Sequence, residues 1–417
     1  MMSTYMLFYW FVTFISLYLL IFWLLTYFDK ESAKPLAVNN LKKFPLVSIA
    51  IPAYNEEKRI KKTILSVLNL DYPSDKIELF VMDDGSSDGT KKVVEKLIKE
   101  HKDRNITLVS KPNKGKGAVL NVALKMSNGE FFVVFDADST VGKNALMVML
   151  PVFSADKETA CVLPAIKVRD PHNSLLKYQW IEYLVTFFYK YIMDFVDCIP
   201  VSPGPFSVYK KKDIEEIGGF DEDNLTEDLE LSLNLQKHHK RIRQNNKVVV
   251  ETSAPETWKS FYKQRNRWYK GGFYNTLKYR SLIFNKQYGD FGLLQFPAFF
   301  AMGWLVLALM LIGIAKLIST TYDFFINLYD INFDILHFID FSEFWWFSIE
   351  YSNILLMIFA TSTLMVLLFS AINHHGEKLF KEKWILLPLY LVVYGLFLVF
   401  VWLGILIDMI FGKKQKW

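Results

Sequence analysis

Val47-Ser48-Ile49-Ala50-Ile51-Pro52-Ala53-Tyr54-Asn55-Glu56 is an apolar run that breaks into a polar cluster. Val47–Pro52 reads as a buried strand. From Glu56 to Leu70 the period changes, with Ile60, Ile64, Val67 and Leu68 recurring near 3.6, so a helix follows. The alternation continues with a strand at Ile77–Met82, a helix at 88–102 and a strand at Ile106–Ser110. A helix at 116–126 and a strand at Phe131–Phe135 come next. Continuous apolar strands alternating with helices imply an α/β domain whose mostly parallel sheet is covered on both faces. Ligands of such sheets bind at the carboxyl ends of the strands, where polar clusters do sit.

Outside this block the composition changes. Residues 1–28, 291–315, 351–376 and 384–407 contain no Asp, Glu, Lys or Arg. Runs of this length match the roughly 20 apolar residues that span a bilayer. They exclude a purely soluble enzyme, and the overall apolar content of 52% excludes intrinsic disorder. The long polar block 29–290 argues against a compact all-membrane transporter. Residues 1–28 lack a basic leader and a small-residue cleavage site, so they read as a retained anchor. Residues 29–45 read as a basic linker, suited to anionic lipid or simply solvated.

Residues 46–290 are expected to form one substantial domain with its own core. Transmembrane helices are expected near 291–316, 350–373 and 384–410, about four with the anchor. Segment 317–350 holds Asp323, Asp330, Asp334, Asp340, Glu343 and Glu350 and no Lys or Arg, whereas Lys378, Lys381 and Lys383 follow the third run. Basic loops stay cytoplasmic, which puts the polar domain inside and 317–350 outside. Lys413, Lys414 and Lys416 disagree with a simple fourth crossing. Either the charge rule is overridden there, or Pro388 breaks the last run into a re-entrant hairpin. The charged, aromatic stretch 174–199 reads as an amphipathic interfacial helix or a buried domain helix, and 273–290 as a second interfacial one. Cys161 and Cys198 lie in the cytoplasmic block and read as free buried thiols.

Six clusters carry candidate chemistry. Pro52-Ala53-Tyr54-Asn55-Glu56 and Asp83-Asp84-Gly85-Ser86-Ser87-Asp88-Gly89 close the first two strands. The second alone is a good turn, with Ser87 or Asp88 able to cap the helix that follows, but two such clusters on neighbouring strand ends favour a nucleotide site. Asn113-Lys114-Gly115-Lys116-Gly117-Ala118 brings small residues and charge to a helix start. It lacks the spacing of a phosphate loop, and a solvated glycine turn is the simpler reading. Asp136-Ala137-Asp138 leaves the fourth strand, where alternate carboxylates can converge on a hard cation; a helix cap is the alternative. Thr226-Glu227-Asp228 opens a leucine-periodic helix and supplies a candidate general base, again with capping as the alternative. Gln264-Arg265-Asn266-Arg267-Trp268 offers guanidinium groups for a diphosphate and an aromatic face for a sugar. An interfacial anchor would use the same residue types.

Taken in order, Asp84, Asp136-x-Asp138, Thr226-Glu227-Asp228 and Gln264-x-x-Arg267-Trp268 resemble the processive membrane glycosyltransferases of family 2. That group includes the cellulose, chitin, hyaluronan and poly-N-acetylglucosamine synthases. The resemblance covers about residues 45–290 and implies a GT-A fold, with a Rossmann-like, mostly parallel sheet. It implies an inverting transfer from a nucleotide sugar, a UDP-sugar in preference to a GDP-sugar, to a growing β-linked polysaccharide. It further implies that Ala53, Tyr54, Glu56 and Asp84 hold the nucleoside and that Lys116 lies near the diphosphate. Asp136 and Asp138 would hold Mg²⁺ or Mn²⁺. Asp228, beside Glu227, would be the base, and Gln264, Arg267 and Trp268 would line the acceptor and diphosphate end. Gly204 and Pro205, in Pro203–Lys210, are similar to the acceptor segment of hyaluronan and chitin synthases, whereas Thr226-Glu227-Asp228 is closer to the cellulose and poly-N-acetylglucosamine enzymes. The expected partners are the donor, a saccharide or lipid-linked acceptor and membrane lipids, with no nucleic acid, at the plasma membrane. Two rivals remain. One moves a single sugar to a lipid carrier; the other is a transporter or inactive scaffold, disfavoured by spans without internal charge.

Overall fold

The computed structural model describes residues 4–32, 41, 43–330, 333, 351–374, 376 and 390–411. Most of the basic linker, Asp334 through Glu350, the loop lysines 378, 381 and 383, Pro388 and the basic tail lie outside the described residues.

An α/β domain is built on one eight-stranded sheet of order β3-β2-β1-β4-β7-β6-β8-β5. Its first half follows the sequence expectation closely. Strands β1 (Val47–Ala53), β2 (Ile77–Asp83), β3 (Ile106–Ser110) and β4 (Phe131–Val134) are parallel neighbours. Helices α2 (Ile60–Leu68), α3 (Thr90–Glu100) and α4 (Lys116–Met126) join them. Strand residues alternate between faces. Ile49 and Ile51 pack with Ile60, Ile64 and Val94 on one side; Ala50, Phe132 and Val134 pack with Val119 and Leu120 on the other. Burial on both faces is what the near-continuous apolar runs require.

The second half corrects the mostly parallel reading. Strand β7 (Ser207–Lys210) is antiparallel to β4 and to β6 (Thr159–Val168). Strand β8 (Arg241–Thr252) is parallel to β6, while β5 (Ser139–Val141) runs antiparallel to β8. The sheet is therefore mixed. The parallel inference came from the strand–helix alternation before residue 135. Beyond it β5 follows β4 almost at once, too soon for a crossover helix.

Helix α5 (Ala145–Ala155) covers the first face, and α7 (Lys211–Glu216) follows β7. Helix α6 (Ser174–Phe195) starts at Asn173, whose side chain accepts from Leu176 N at 2.8 Å. It does not lie at the surface with a wet stripe. It packs between β6 on one side and two apolar helices, α1 (Thr4–Ser32) and α11 (Tyr351–His374), on the other. Trp23 meets Tyr189 edge-on, and Phe188 and Tyr191 pack on His374. Its charges have internal uses: Glu182 pairs with Arg265, and Asp194 with Arg243. Residues 273–290 are not one helix either. Helix α8 (Glu227–Lys237) packs on α9 (Trp258–Lys278), and α9 is followed by two single 3₁₀ turns, Arg280–Leu282 and Lys286–Tyr288.

After a π-turn at Phe291–Gln295, α10 runs from Phe296 to Asp330 without a break, about 50 Å at 1.5 Å per residue. Its segment Leu311–Asp330 is long and apolar enough to cross a membrane, the one such segment among the described residues. The expected helix stopped near 316 because the first charge, Lys316, was taken as its end. Charge marks a change of solvent, whereas a helix continues until a breaker arrives, and 314–330 contains neither Gly nor Pro. The chain returns in a π-turn, Tyr390–Tyr394, that leads into α12 (Gly395–Ile410). Cys161 and Cys198 are free and buried.

Candidate active site

Parallel pairing puts the ends of β1 and β2 side by side, with Ala53 in register with Asp83. Asp84 N then donates to Ala53 O at 2.9 Å. The Asp84 carboxylate accepts from Lys114 N and Gly115 N, both at 2.9 Å. The amides that the glycine-rich segment offers to an anion are thus turned onto Asp84, which ties the loop after β2 to the start of α4. Gly85 makes this possible: its φ is +77°, and a Cβ there would sit 2.8 Å from Asn113 N. Asp88 has the local role of a turn, accepting from Thr90 N at 3.0 Å and Glu57 N at 3.1 Å. Glu56 lies beside these loops. Burial first, then the charges of Asp138 and Asp136, push its carboxyl up to about 7 against the pull of Arg59.

Asp136 and Asp138 occupy the turn between β4 and β5, so Asp138 caps no helix. Its Oδ1 accepts from Ser139 Oγ at 3.0 Å and Thr252 Oγ1 at 3.2 Å. Burial, then Asp136, hold its carboxyl above the usual range. Lys116 Nζ bridges to Asp136 Oδ1 at 2.8 Å and to Glu227 Oε1 at 3.0 Å. Burial opposes its charge, yet Asp136, Glu227 and Asp228 outweigh that and keep it firmly an ammonium. Gly204 faces this cluster, and a Cβ there would lie 2.5 Å from Asp136 Oδ1 and 2.6 Å from Lys116 Nζ.

The Thr226-Glu227-Asp228 turn starts α8, but the Thr226 side chain makes no cap bond. Its Oγ1 instead accepts from Asn275 Nδ2 at 3.0 Å, and the turn rests against Gly271 of α9, where any Cβ would collide with it. Glu227 is buried, with Oε2 lacking a hydrogen-bond partner among the described residues. Asp228 lines the cavity. Burial and Glu227 raise its carboxyl to about 6, while Lys116 and Arg267 pull it down. Arg267 Nη1 donates to Leu225 O at 3.2 Å. Arg265, fully buried, pairs with Glu182 and lies between the Phe261 and Trp268 rings at 4.5 and 4.2 Å. Part of Trp268's aromatic surface is therefore taken by a guanidinium rather than left for a sugar.

One cavity of about 810 Å³ collects these groups. Ala53, Tyr54, Glu56, Asp84, Lys116, Asp136, Asp138, Gly204, Pro205, Glu227, Asp228, Gln264, Arg267 and Trp268 all line it. So do Asn113, from the glycine-rich cluster, and Thr252, Glu182 and Lys190, which sequence reasoning missed. Glu182 and Lys190 had a signal: eight residues apart, they share one face of a helix.

Among the described residues no group of three or more His, Cys, Asp or Glu is arranged as a metal cage. The donor set nonetheless fits Mg²⁺ or Mn²⁺ completed by diphosphate oxygens. Asp136 and Asp138 are hard oxygen donors beside Glu56, and their mutual repulsion invites a cation.

The Glycosyl transferase family 2 profile matches residues 48–218. The chain is 31% identical over 256 residues to the probable glycosyltransferase YdaM of Bacillus subtilis strain 168, covering 59% of each chain. It is 29% identical over 244 residues to a poly-beta-1,6-N-acetyl-D-glucosamine synthase of Staphylococcus epidermidis, covering 57% of this chain and 58% of the relative. A beta-monoglucosyldiacylglycerol synthase of Trichormus variabilis is 29% identical over 246 residues, covering 59% and 53%. The chain thus spans somewhat over half the length of these curated relatives. The mannosyltransferase PcManGT of Pyrobaculum calidifontis, in complex with GDP-Man and Mn2+, aligns with a TM-score of 0.55 at 22% identity, covering 73% of this chain and 87% of the other. That likeness shows a GT-A-like α/β fold. Over residues 48–218 this chain is therefore similar to the family 2 glycosyltransferases.

Proposed function

We propose that this chain is an inverting glycosyltransferase that moves a sugar from a nucleotide-sugar donor, a UDP-sugar before a GDP-sugar, to a growing β-linked polysaccharide at the cytoplasmic face of the plasma membrane. One observation carries the reading. The cavity that gathers the strand-end acids around Lys116 also reaches Asp228 and continues to Phe299, Phe300, Leu398 and Trp402 on α10 and α12. Donor chemistry, a base and an apolar exit share one space.

Asp228, with its pKa of about 6, is mostly a carboxylate at neutral pH and still basic enough to take the acceptor hydroxyl proton. Attack from the face opposite the leaving group inverts the anomeric carbon and needs no covalent intermediate. Lys116 and Arg267 put positive charge where the diphosphate departs. Asp136 and Asp138 would hold the divalent cation, which when bound neutralises diphosphate charge. Glu56, Asp84, Ala53 and Tyr54 form the nucleoside end.

The four-helix, multi-pass arrangement is part of the same proposal. Phe11, Phe14, Tyr18 and Phe28 on α1, and Leu317, Ile318, Tyr322 and Phe325 on α10, are large apolar side chains left exposed, as a lipid-facing surface requires. A second reading, one sugar moved to a lipid acceptor, is favoured by the apolar wall of the cavity and by the glycolipid-synthase relative. Product size separates them. With radiolabelled donor in membranes, long polymer supports the first reading, and a discrete lipid-soluble product overturns it.

A further inference from the structure

Three cations line the cavity: Lys116, Lys190 and Arg267. The first two differ sharply in their surroundings. Lys116 is bonded to Asp136 and Glu227, and Arg267 donates to Leu225 O. Lys190 is 5% exposed, projects from α6 into the cavity, and lies with its amino group 4.7 Å from the centre of the Phe187 ring. Among the described residues it meets no hydrogen-bond acceptor. A buried ammonium without one is costly and is retained where something else completes its shell.

We propose that Lys190 binds the acceptor sugar, donating hydrogen bonds to its ring hydroxyls so that the attacking hydroxyl lies against Asp228. This rests on the transferase reading above. The chemistry of the cavity narrows the ligand. Asp228, the carboxylate whose charge acts on Lys190, disfavours an anionic acceptor at this spot, away from the groups proposed to meet the diphosphate. A neutral polyhydroxyl ring is not repelled, and its oxygens satisfy all three ammonium protons. The Phe187 ring holds the amine from one side and leaves its protons to point at a ligand on the other. Asp228 is the neighbouring charge that keeps Lys190 protonated: burial pulls the amine down to about 8, and Asp228 opposes it. The amine and the base therefore attend the same part of the cavity.

The test uses the full chain in detergent or nanodiscs, with UDP-N-acetylglucosamine as donor probe and a short β-linked N-acetylglucosamine oligomer as acceptor. Donor affinity is measured by calorimetry and transfer by steady-state kinetics. Lys190→Met should leave the donor Kd within about twofold and raise the acceptor KM by roughly tenfold to a hundredfold, the worth of one charge-assisted hydrogen bond. Lys190→Gln, which keeps a donor, should restore part of that loss at an unchanged melting temperature. An unchanged acceptor KM in both variants overturns the proposal. A donor Kd that rises as much as the acceptor KM moves Lys190 to the donor side and overturns it too. Wild-type protein that binds neither this donor nor UDP-glucose, UDP-glucuronate or GDP-mannose sinks the transferase reading itself, a result visible before any variant is made.

Discussion

The Lys116 ammonium lies 2.8 Å from Asp136 Oδ1 and so joins the first turn of α4 to the turn between β4 and β5. Through its second bond, to Glu227, it fastens α8 to the same point. Three segments far apart in the chain meet at one amine. Lys116→Met leaves Asp136 and Glu227 facing each other without a counter-charge. Breaking a buried pair costs about 3–5 kcal/mol, and the partial exposure of Lys116 puts this case near the lower end. A lowered melting temperature and at least a hundredfold loss of transfer are the expected results. A variant as stable and active as wild type would show that the amine is dispensable.

Gly204→Ala tests how closely the loop before β7 approaches that cluster. The new methyl would press on the ends of two side chains, Asp136 and Lys116, rather than on backbone. The fold should therefore tolerate it, with melting temperature within a few degrees of wild type. Donor affinity should fall about tenfold or more, read by calorimetry, because the displaced groups are those proposed to meet the diphosphate.

The Asp228 carboxyl, raised to about 6, sets a pH dependence. On the proposed base role transfer needs the carboxylate, so kcat/KM should rise with pH through about 6 and level off above it. Asp228→Asn should abolish this limb and reduce kcat by roughly 10²–10⁴-fold. The same limb in the Asn variant would assign the titration to another group.

Glu56 gives a separate pH signature. Its carboxyl is raised to about 7, so the folded chain holds this proton more tightly than the unfolded chain does. Stability without metal is therefore fully present below the ordinary carboxyl range and declines as pH rises toward 7. A divalent cation binds the carboxylate forms, so Mn²⁺ affinity should strengthen over the same interval with proton release, measured by calorimetry in two buffers of different ionisation heat. Glu56→Gln should flatten that dependence. EDTA should halt transfer, and Mn²⁺ should restore it.

Much of the site was legible because β1, β2 and β4 are parallel. Their carboxyl ends must share one edge, so Glu56, Asp84 and Asp138 had to be neighbours once the alternation of strands and helices was read. Lys116 was placed correctly at the head of a helix, but its partners, Asp136 and Glu227, were not legible. Glu227 arrives from α8, whose position depends on the antiparallel half of the sheet, and no local pattern announces that reversal. The charges of α6 misled for a related reason: Glu182 and Lys190 look solvated until the partner helix and the cavity are known. Arg265 was hidden by its neighbours, since the arginine two residues later carries the familiar spacing.

Helix α9 joins the cavity to the apolar helices. It presents Gln264, Arg267 and Trp268 to the cavity and, within the same turns, packs on α12: Tyr262 rests on Gly404 so tightly that no side chain fits there, and Lys270 faces Asp408 at 3.6 Å. On the proposed topology α12 stands in lipid. The position of Arg267 at the cavity would then be set partly by the tilt of a helix that answers to the surrounding bilayer, which would make membrane thickness a physical input to the rate of the proposed sugar transfer.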